Sequence, residues 1–329
     1  MFGYRWFRSA LPPAEAPVTP TKPPIIVSKP IGVGPDDMDH FALTDGFEDP
    51  VQWENTIHQA FKDAEEDEAF ADVLRCNFLE KDLGASFQRF QDSRAPAAIS
   101  KLLGRLGVSL EAPIADVGCG RGHLAFAINR LGHKNVTAMD PNSEWFTGTG
   151  YLKSRSDHNV KVVNSLDHWR DHHCTFDAVV SSGTVHHWQH IPRIAIDLRR
   201  VIRPGGYWLM ISEYFANTPR EFLTALNNHP TATRYNSYEW AYPASAYVDL
   251  VQTSGFLLAG VIPHTYNGNE FASYSAPNDP GVTKWVDENL TTPLGTVEAF
   301  WSEVDALRRT NAPSVYLYPQ VLIFQRVEV

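Results

Sequence analysis

Three glycines at alternate positions follow a short apolar run in Pro113-Ile-Ala-Asp116-Val117-Gly118-Cys119-Gly120-Arg121-Gly122-His123, and an acid sits inside the run. Glycine at these places lets the backbone turn sharply from a strand into a helix, and it brings bare amides against a ligand that a Cβ would hold off. The pattern predicts a helix from Leu124 to Arg130. A second apolar run, Val136-Thr-Ala-Met139, ends in Asp140 and Pro141. That acid stands about 20 residues beyond the glycines, where a carboxylate can accept both ribose hydroxyls. Two acids at adjacent strand ends bracket one nucleoside.

A dinucleotide would require G-x-G-x-x-G, whose third glycine allows close helix packing. That glycine would fall at position 123, where His123 stands instead. Asp116 would also repel a pyrophosphate, which needs a positive helix terminus. A phosphate-free nucleoside cofactor fits better. S-adenosylmethionine carries an adenosine, a sulfonium and a free amino acid, and an acid near its ammonium end is an asset.

Two further runs extend the reading. Phe176-Asp-Ala-Val-Val180-Ser181-Ser-Gly-Thr-Val185-His186-His187-Trp188 and Leu198-Arg-Arg-Val-Ile-Arg203-Pro204-Gly205-Gly206-Tyr-Trp-Leu-Met-Ile211 resemble, in order and separation, the fourth and fifth strand regions of class I, Rossmann-like, S-adenosylmethionine-dependent small-molecule methyltransferases. The resemblance covers Leu83 to Phe256, with a last strand near Tyr316 to Gln325. It implies an α/β fold with a seven-stranded, mostly parallel sheet whose last strand is antiparallel, preceded by a helical lid and interrupted by cap insertions. Strands are expected near 113–117, 135–139, 160–163, 176–181, 206–212, 256–262 and 315–325, in the β–α alternation of that class.

The resemblance also implies roles. Asp140 takes the ribose hydroxyls, with Pro141 beside it. Asp116 orders the glycine loop and the methionine ammonium, and Gly118, Cys119, Gly120 and Gly122 offer backbone contacts. Relatives place an acid for the adenine amine after the third strand. Here the run is Ser165-Leu166-Asp167, so either the Ser165 hydroxyl accepts or Asp167 reaches back, while Leu166 packs on the ring. Ser181 contributes a carbonyl. His186 and His187 follow the fourth strand, where the family's residues face the transferred methyl group. One of them can serve as general base, since imidazole is half-deprotonated near neutrality; the alternative is that one is a satisfied core residue and the other shapes the pocket. Tyr235, Tyr238, Glu239, Trp240 and Tyr242 form an aromatic group suited to a planar acceptor, with Phe87 and Phe90 as further pocket residues.

Organisation along the chain reads as three parts. Residues 1–35, with prolines at 12, 13, 17, 20, 23, 24 and 30, form an extended tail; residues 36–108 a helical lid; and residues 109–329 the core, with insertions at 215–243 and 264–312. In the lid, Trp53, Ile57, Ala60 and Phe61 recur at helical spacing, as do Phe70, Val73, Leu74 and Phe78.

A length of 329 residues with 43% hydrophobic content supports one substantial core. The formal net charge of -10 argues against a nucleic-acid partner, which needs clustered Lys and Arg. Three cysteines, Cys76, Cys119 and Cys174, have no framework spacing, as expected in a reducing cytosol. No apolar run suits a bilayer, so a cytoplasmic protein with a small-molecule substrate is expected. His168, His172, His173 and Cys174 gather without C-x-x-C or H-E-x-x-H spacing, and read as a solvated loop with no metal. The functional expectation is methyl transfer to a small organic acceptor, at oxygen with a histidine base. Its rivals are carbon methylation of a quinone-like or lipid-like ring, and a non-catalytic subunit that binds the cofactor; the glycine spacing disfavours a nicotinamide oxidoreductase.

Overall fold

The structure is a computed structural model that describes residues 50–164, 173–188, 190–228, 231–235, 240–263, 293–310 and 319–328. The proline-rich tail, Ser165, Leu166, Asp167, Tyr238, Glu239, His168, His172 and most of the 264–312 insertion lie outside these residues.

Seven strands form one sheet: β1 Ile114–Val117, β2 Val136–Met139, β3 Lys161–Val163, β4 Phe176–Ser182, β5 Ile202–Ile211, β6 Phe256–Pro263 and β7 Pro319–Arg326. Their order is β3-β2-β1-β4-β5-β7-β6, and β7 runs antiparallel to both β5 and β6, as expected. β1 is buried along its whole length and reads as a continuous apolar run broken only by Asp116, which is how a central parallel strand should read. It pairs with β2 on one side (Asp116 against Ala138) and β4 on the other (Asp116 against Val180). Chain order reverses between β1 and β4, which opens a crevice beyond their carboxyl ends.

Helices cover both faces. α1 Pro50–Glu66, α2 Glu68–Cys76, α3 Leu83–Asp92 and α4 Ala95–Arg105 precede β1; α5 His123–Arg130 and α6 Gly150–Ser154 flank β2. α7 Ile191–Val201, α8 Pro219–Asn228, α9 Ala232–Tyr235, α10 Ala244–Gln252 and α11 Pro293–Thr310 complete the described set. One core cluster joins β4 and β5 to α7, α10 and α11 around Trp188, Trp208, Tyr247 and Phe300. A second joins the opposite side to α3, α4 and α5 through Phe87, Ile99, Leu102 and Phe126. The α1–α2 pair has its own cluster of Ile57, Ala60, Phe61, Phe70 and Leu74.

Two boundaries differ from the sequence expectation. The apolar periodicity carries a helix through Phe78, but α2 stops at Cys76, and Phe78 turns into the left-handed region at φ 57°. That turn lays its ring against Phe90 at 5.3 Å, a gain that offsets the backbone strain. β5 starts at Ile202, ahead of the expected 206, because Arg203-Pro204-Gly205 is accommodated by a register shift against β4 between Phe176 and Ala178.

Only a glycine satisfies the turn after β1. Gly118 has φ 69°, and a Cβ there would lie 2.2 Å from Thr184 Oγ1, 2.8 Å from its Cγ2 and 2.9 Å from its Cβ. Gly118→Ala should therefore cost at least about 1 kcal/mol from the backbone alone, and a thermal melt should fall by roughly 2–4 °C or more. Adding Thr184→Ala, which removes two of the three colliding atoms, should recover part of that loss.

Candidate functional site

The site is assembled from the carboxyl ends of β1, β2 and β4. The glycine loop leaves β1 with Gly118 N and Cys119 N both donating to Met139 O, at 2.8 and 3.1 Å, which ties it to the end of β2. α5 starts at His123, one residue before the predicted Leu124, with Gly122 at φ 84° as its N-terminal cap.

Asp140 ends β2 and is buried. Its Oδ2 accepts from Gly120 N at 2.7 Å and its Oδ1 from Asn142 N at 2.9 Å. Burial still pushes its pKa up to about 6, against the lowering effect of those two amides. Asp116 is 1% exposed and accepts from Ala125 N, in the first turn of α5, at 3.0 Å. Burial raises its pKa to about 7, with the charge of Asp140 adding to the shift. Neither carboxylate has a Lys, Arg or His ion-pair partner among the described residues. Cys119 is half-buried, and burial with the two neighbouring carboxylates holds its thiol well above the ordinary range, so it stays protonated and unreactive. Pro141 is half-buried beside Asp140.

Arg121, inside the glycine loop, was not singled out in the sequence. Its guanidinium is buried; it donates from Nε to Phe146 O and from Nη1 to Phe78 O, joining the loop to the turn after β2 and to the end of α2. Burial lowers its pKa to about 10, opposed by Glu54 and Glu80. His123 explains why no third glycine is needed. Its ring lies 4.3 Å from that of Phe87 and near Phe78 and Phe90, and its Nε2 is 2.9 Å from Ser86 Oγ. Burial first, then the charges of Arg121 and Arg89, keep it neutral.

Phe87 and Phe90 are 1% and 9% exposed, and they pack in the seam between α3 and α5.

Beyond β4 the chain forms a tight turn, Val185–His187. Glu213, directly after β5, organises it: Oε1 accepts from Thr184 N at 3.1 Å and Val185 N at 3.0 Å. Oε2 accepts from His186 N at 3.1 Å and lies 2.8 Å from His186 Nδ1. A carboxylate against Nδ1 favours the proton on that ring nitrogen. His186 is 2% exposed; His187 is half-buried with its ring 4.2 Å from that of His186. Tyr214 meets His186 edge-on at 4.7 Å. Thr184, which approaches Gly118, brings this turn and the glycine loop together. Glu213 also escaped the sequence reading, although the rule that found Asp140, an acid at the carboxyl end of a central strand, applies equally to it.

The remaining sequence candidates separate. Ser181 is fully buried, and its Oγ accepts from Trp208 Nε1 at 3.0 Å. Tyr235 belongs to the lid seam: its hydroxyl donates to Asp63 Oδ2 at 2.5 Å, while neighbouring Arg234 lies over Phe70 at 4.1 Å. Tyr242 pairs with Phe215 in an isolated bridge and packs on Tyr247. Trp240 is 38% exposed, against Phe222 and Tyr242. Among the described residues no three His, Cys, Asp or Glu side chains group as metal ligands, and no helix is long and apolar enough to cross a membrane.

The donor set fits a cationic, phosphate-free nucleoside. Two buried carboxylates without a cation suit hydroxyl and ammonium donors, and the turn at Gly120 is open, a Cβ there meeting nothing nearer than Thr147 O at 3.8 Å. Residues 115–210 match the family model described as a methyltransferase domain. No curated protein matches the chain. Among solved structures it is similar to the YcgJ protein of Bacillus subtilis, at 15% identity over 69% of this chain and 99% of that one, with a TM-score of 0.40. It is also similar to an S-adenosylmethionine-dependent methyltransferase of Mesorhizobium loti, at 15% identity over 66% and 91%, TM-score 0.40. A third is the 1,6-didemethyltoxoflavin-N1-methyltransferase of Burkholderia thailandensis, solved with 1,6-didemethyltoxoflavin and S-adenosylhomocysteine, at 15% identity over 79% and 90%, TM-score 0.42. The family match over residues 115–210, which hold the glycine loop and the first five strands, marks that segment as a methyltransferase domain and supports S-adenosylmethionine as its cofactor.

Proposed function

We propose that this enzyme methylates an oxygen of a small organic acceptor, with His186 as general base. The observation that carries this reading is the buried Glu213–His186 pair, at 2.8 Å, on the turn that also contacts the glycine loop. When bound, the cofactor supplies a methyl group on a positively charged sulfur, so the protein's work is alignment, exclusion of water and removal of the acceptor's proton. Asp140 accepts the ribose hydroxyls on lone pairs that its two amide donors leave available, and Pro141 flanks it. Asp116 holds the ammonium end. The backbone of Gly118, Cys119, Gly120 and Gly122, with the carbonyl of Ser181, completes the cradle, and the adenine falls to Ser165, Leu166 and Asp167. His186 Nε2 takes the hydroxyl proton as the new bond forms, and Glu213 stabilises the resulting imidazolium. His187 and Trp240 shape the acceptor side, with Tyr238 and Glu239 in the adjoining segment. The domain division at residues 35 and 108 remains part of the same proposal.

A second reading, transfer by alignment alone, is favoured by the 2% exposure of His186. The two separate on mutation. As a base, His186→Gln should lower turnover by about 10²- to 10⁴-fold and abolish the acid limb of the pH–rate profile. Glu213→Gln should shift that limb to lower pH, because the imidazolium loses its carboxylate. Near-native turnover and an unchanged profile in His186→Gln would leave only alignment.

The two acids generate a separate expectation. The fold raises the carboxyl of Asp116 from 3.8 to about 7. The folded state therefore holds this proton more tightly than the unfolded chain, and the stability so gained at low pH is lost as the pH rises towards 7. Asp116→Asn, whose carbonyl can still accept from Ala125 N, should raise the melting temperature of the cofactor-free protein at pH 8 and do little at pH 5. The same variant should bind S-adenosylhomocysteine more weakly by calorimetry. Wild-type affinity should itself fall between pH 8 and pH 5.5 as Asp116 and Asp140 take up protons. A stabilised variant with unchanged affinity would remove Asp116 from the cofactor site.

A further inference from the structure

α1 reaches the cofactor end of the molecule through an unbroken chain of buried hydrogen bonds. Glu54, on α1, accepts from Thr147 Oγ1 at 2.7 Å on one oxygen and from Phe146 N at 3.0 Å on the other. Thr147 Oγ1 in turn accepts from Asn142 Nδ2 at 2.8 Å. Asn142 Oδ1 accepts from Glu144 N at 2.8 Å, and Asn142 N donates to Asp140 Oδ1 at 2.9 Å. Asp140 Oδ2 then accepts from Gly120 N in the glycine loop. Glu54, Thr147, Asn142 and Asp140 are all at most 9% exposed, so water does not substitute freely for any of these partners. A second route runs alongside: Arg121, also in the glycine loop, donates to Phe146 O, and the Phe146 ring packs on Phe61 and His58 of α1, at 5.6 and 5.2 Å.

The direction of the chain is set by Glu54. A hydroxyl has one proton, and a carboxylate can only accept, so Thr147 spends its proton on Glu54 and presents lone pairs to Asn142. That fixes which end of the Asn142 amide faces Thr147, leaves Oδ1 for Glu144 N, and holds the tight turn whose backbone amide orients Asp140. Removing the carboxylate frees the hydroxyl to rotate, and every later orientation in the chain loses its reference.

We propose that Glu54 is a positioning residue for Asp140, so that α1 forms part of the cofactor site and its docking and cofactor binding favour each other. The inference rests on the reading of Asp140 as the ribose acceptor.

The test is calorimetric binding of S-adenosylhomocysteine to the full chain carrying Glu54→Ala, Thr147→Val, Thr147→Ser, Asp140→Asn, and Glu54→Ala combined with Asp140→Asn. Glu54→Ala and Thr147→Val should each raise Kd by about tenfold, the scale of one lost hydrogen bond to a charged group. Thr147→Ser keeps the hydroxyl and should retain affinity, which a merely space-filling role of Thr147 would not predict. In the Asp140→Asn background, Glu54→Ala should add nothing, because the two act through one chain. A lowered melting temperature with unchanged Kd in Glu54→Ala and Thr147→Val would overturn the proposal, as would a full additional loss in the double variant. Native affinity in Asp140→Asn would instead remove the ribose assignment, and this inference with it.

Discussion

A carboxylate taken out of water must find hydrogen-bond donors or give up its charge, and Asp116 and Asp140 meet that demand at the centre of the molecule with backbone amides alone. Much of the local architecture supplies those amides. α5 begins where it does so that Ala125 N faces Asp116. The glycine loop curls back so that Gly120 N reaches Asp140, and the turn after β2 folds so that Asn142 N meets its other oxygen. The compensation is incomplete, since both groups retain raised pKa values.

Glu213 solves the same problem differently. It is equally withdrawn from water, yet its two oxygens have four donors: three successive amides and an imidazole nitrogen. Three consecutive amides can converge on one point only if the chain turns tightly, which the turn at Val185–His187 provides. The carboxylate thus holds both the shape of the turn and the tautomer of the ring that the turn presents.

Strand positions were legible because each central strand is a short apolar run punctuated by glycine, proline or an acid, and those signals are local. β1, β2 and β4 fall where the runs place them. The register shift in β5 was not legible, because Arg203-Pro204-Gly205 reads as a turn until β4 is set beside it. Nor was the fate of Phe87 and Phe90, since a helical stripe of aromatics looks alike whether it faces His123 or a ligand. Glu54 and Arg121 were hidden for another reason. Their partners lie far along the chain, Glu54 meeting Phe146 and Thr147, and Arg121 meeting Phe78, and no spacing rule covers such pairs. Asp140 was legible as an acid at a strand end, while the chain that orients it was not.

The place of β7 carries a consequence for how the chain is made. β7 follows β6 in sequence but lies between β5 and β6, pairing Met210 with Leu322 on one side and Val261 with Leu322 on the other. During synthesis β5 and β6 emerge from the ribosome with the gap between them unfilled, and neither can borrow the other's edge without displacing the strand still to come. The half of the sheet that holds the glycine loop can pair early, from contacts within residues 114–211. The far half waits for residues 319–326 to slide in and zip both neighbours at once, a non-local step with high loop-closure entropy. Until β7 pairs with them, the facing edges of β5 and β6 present unpaired backbone groups to other chains.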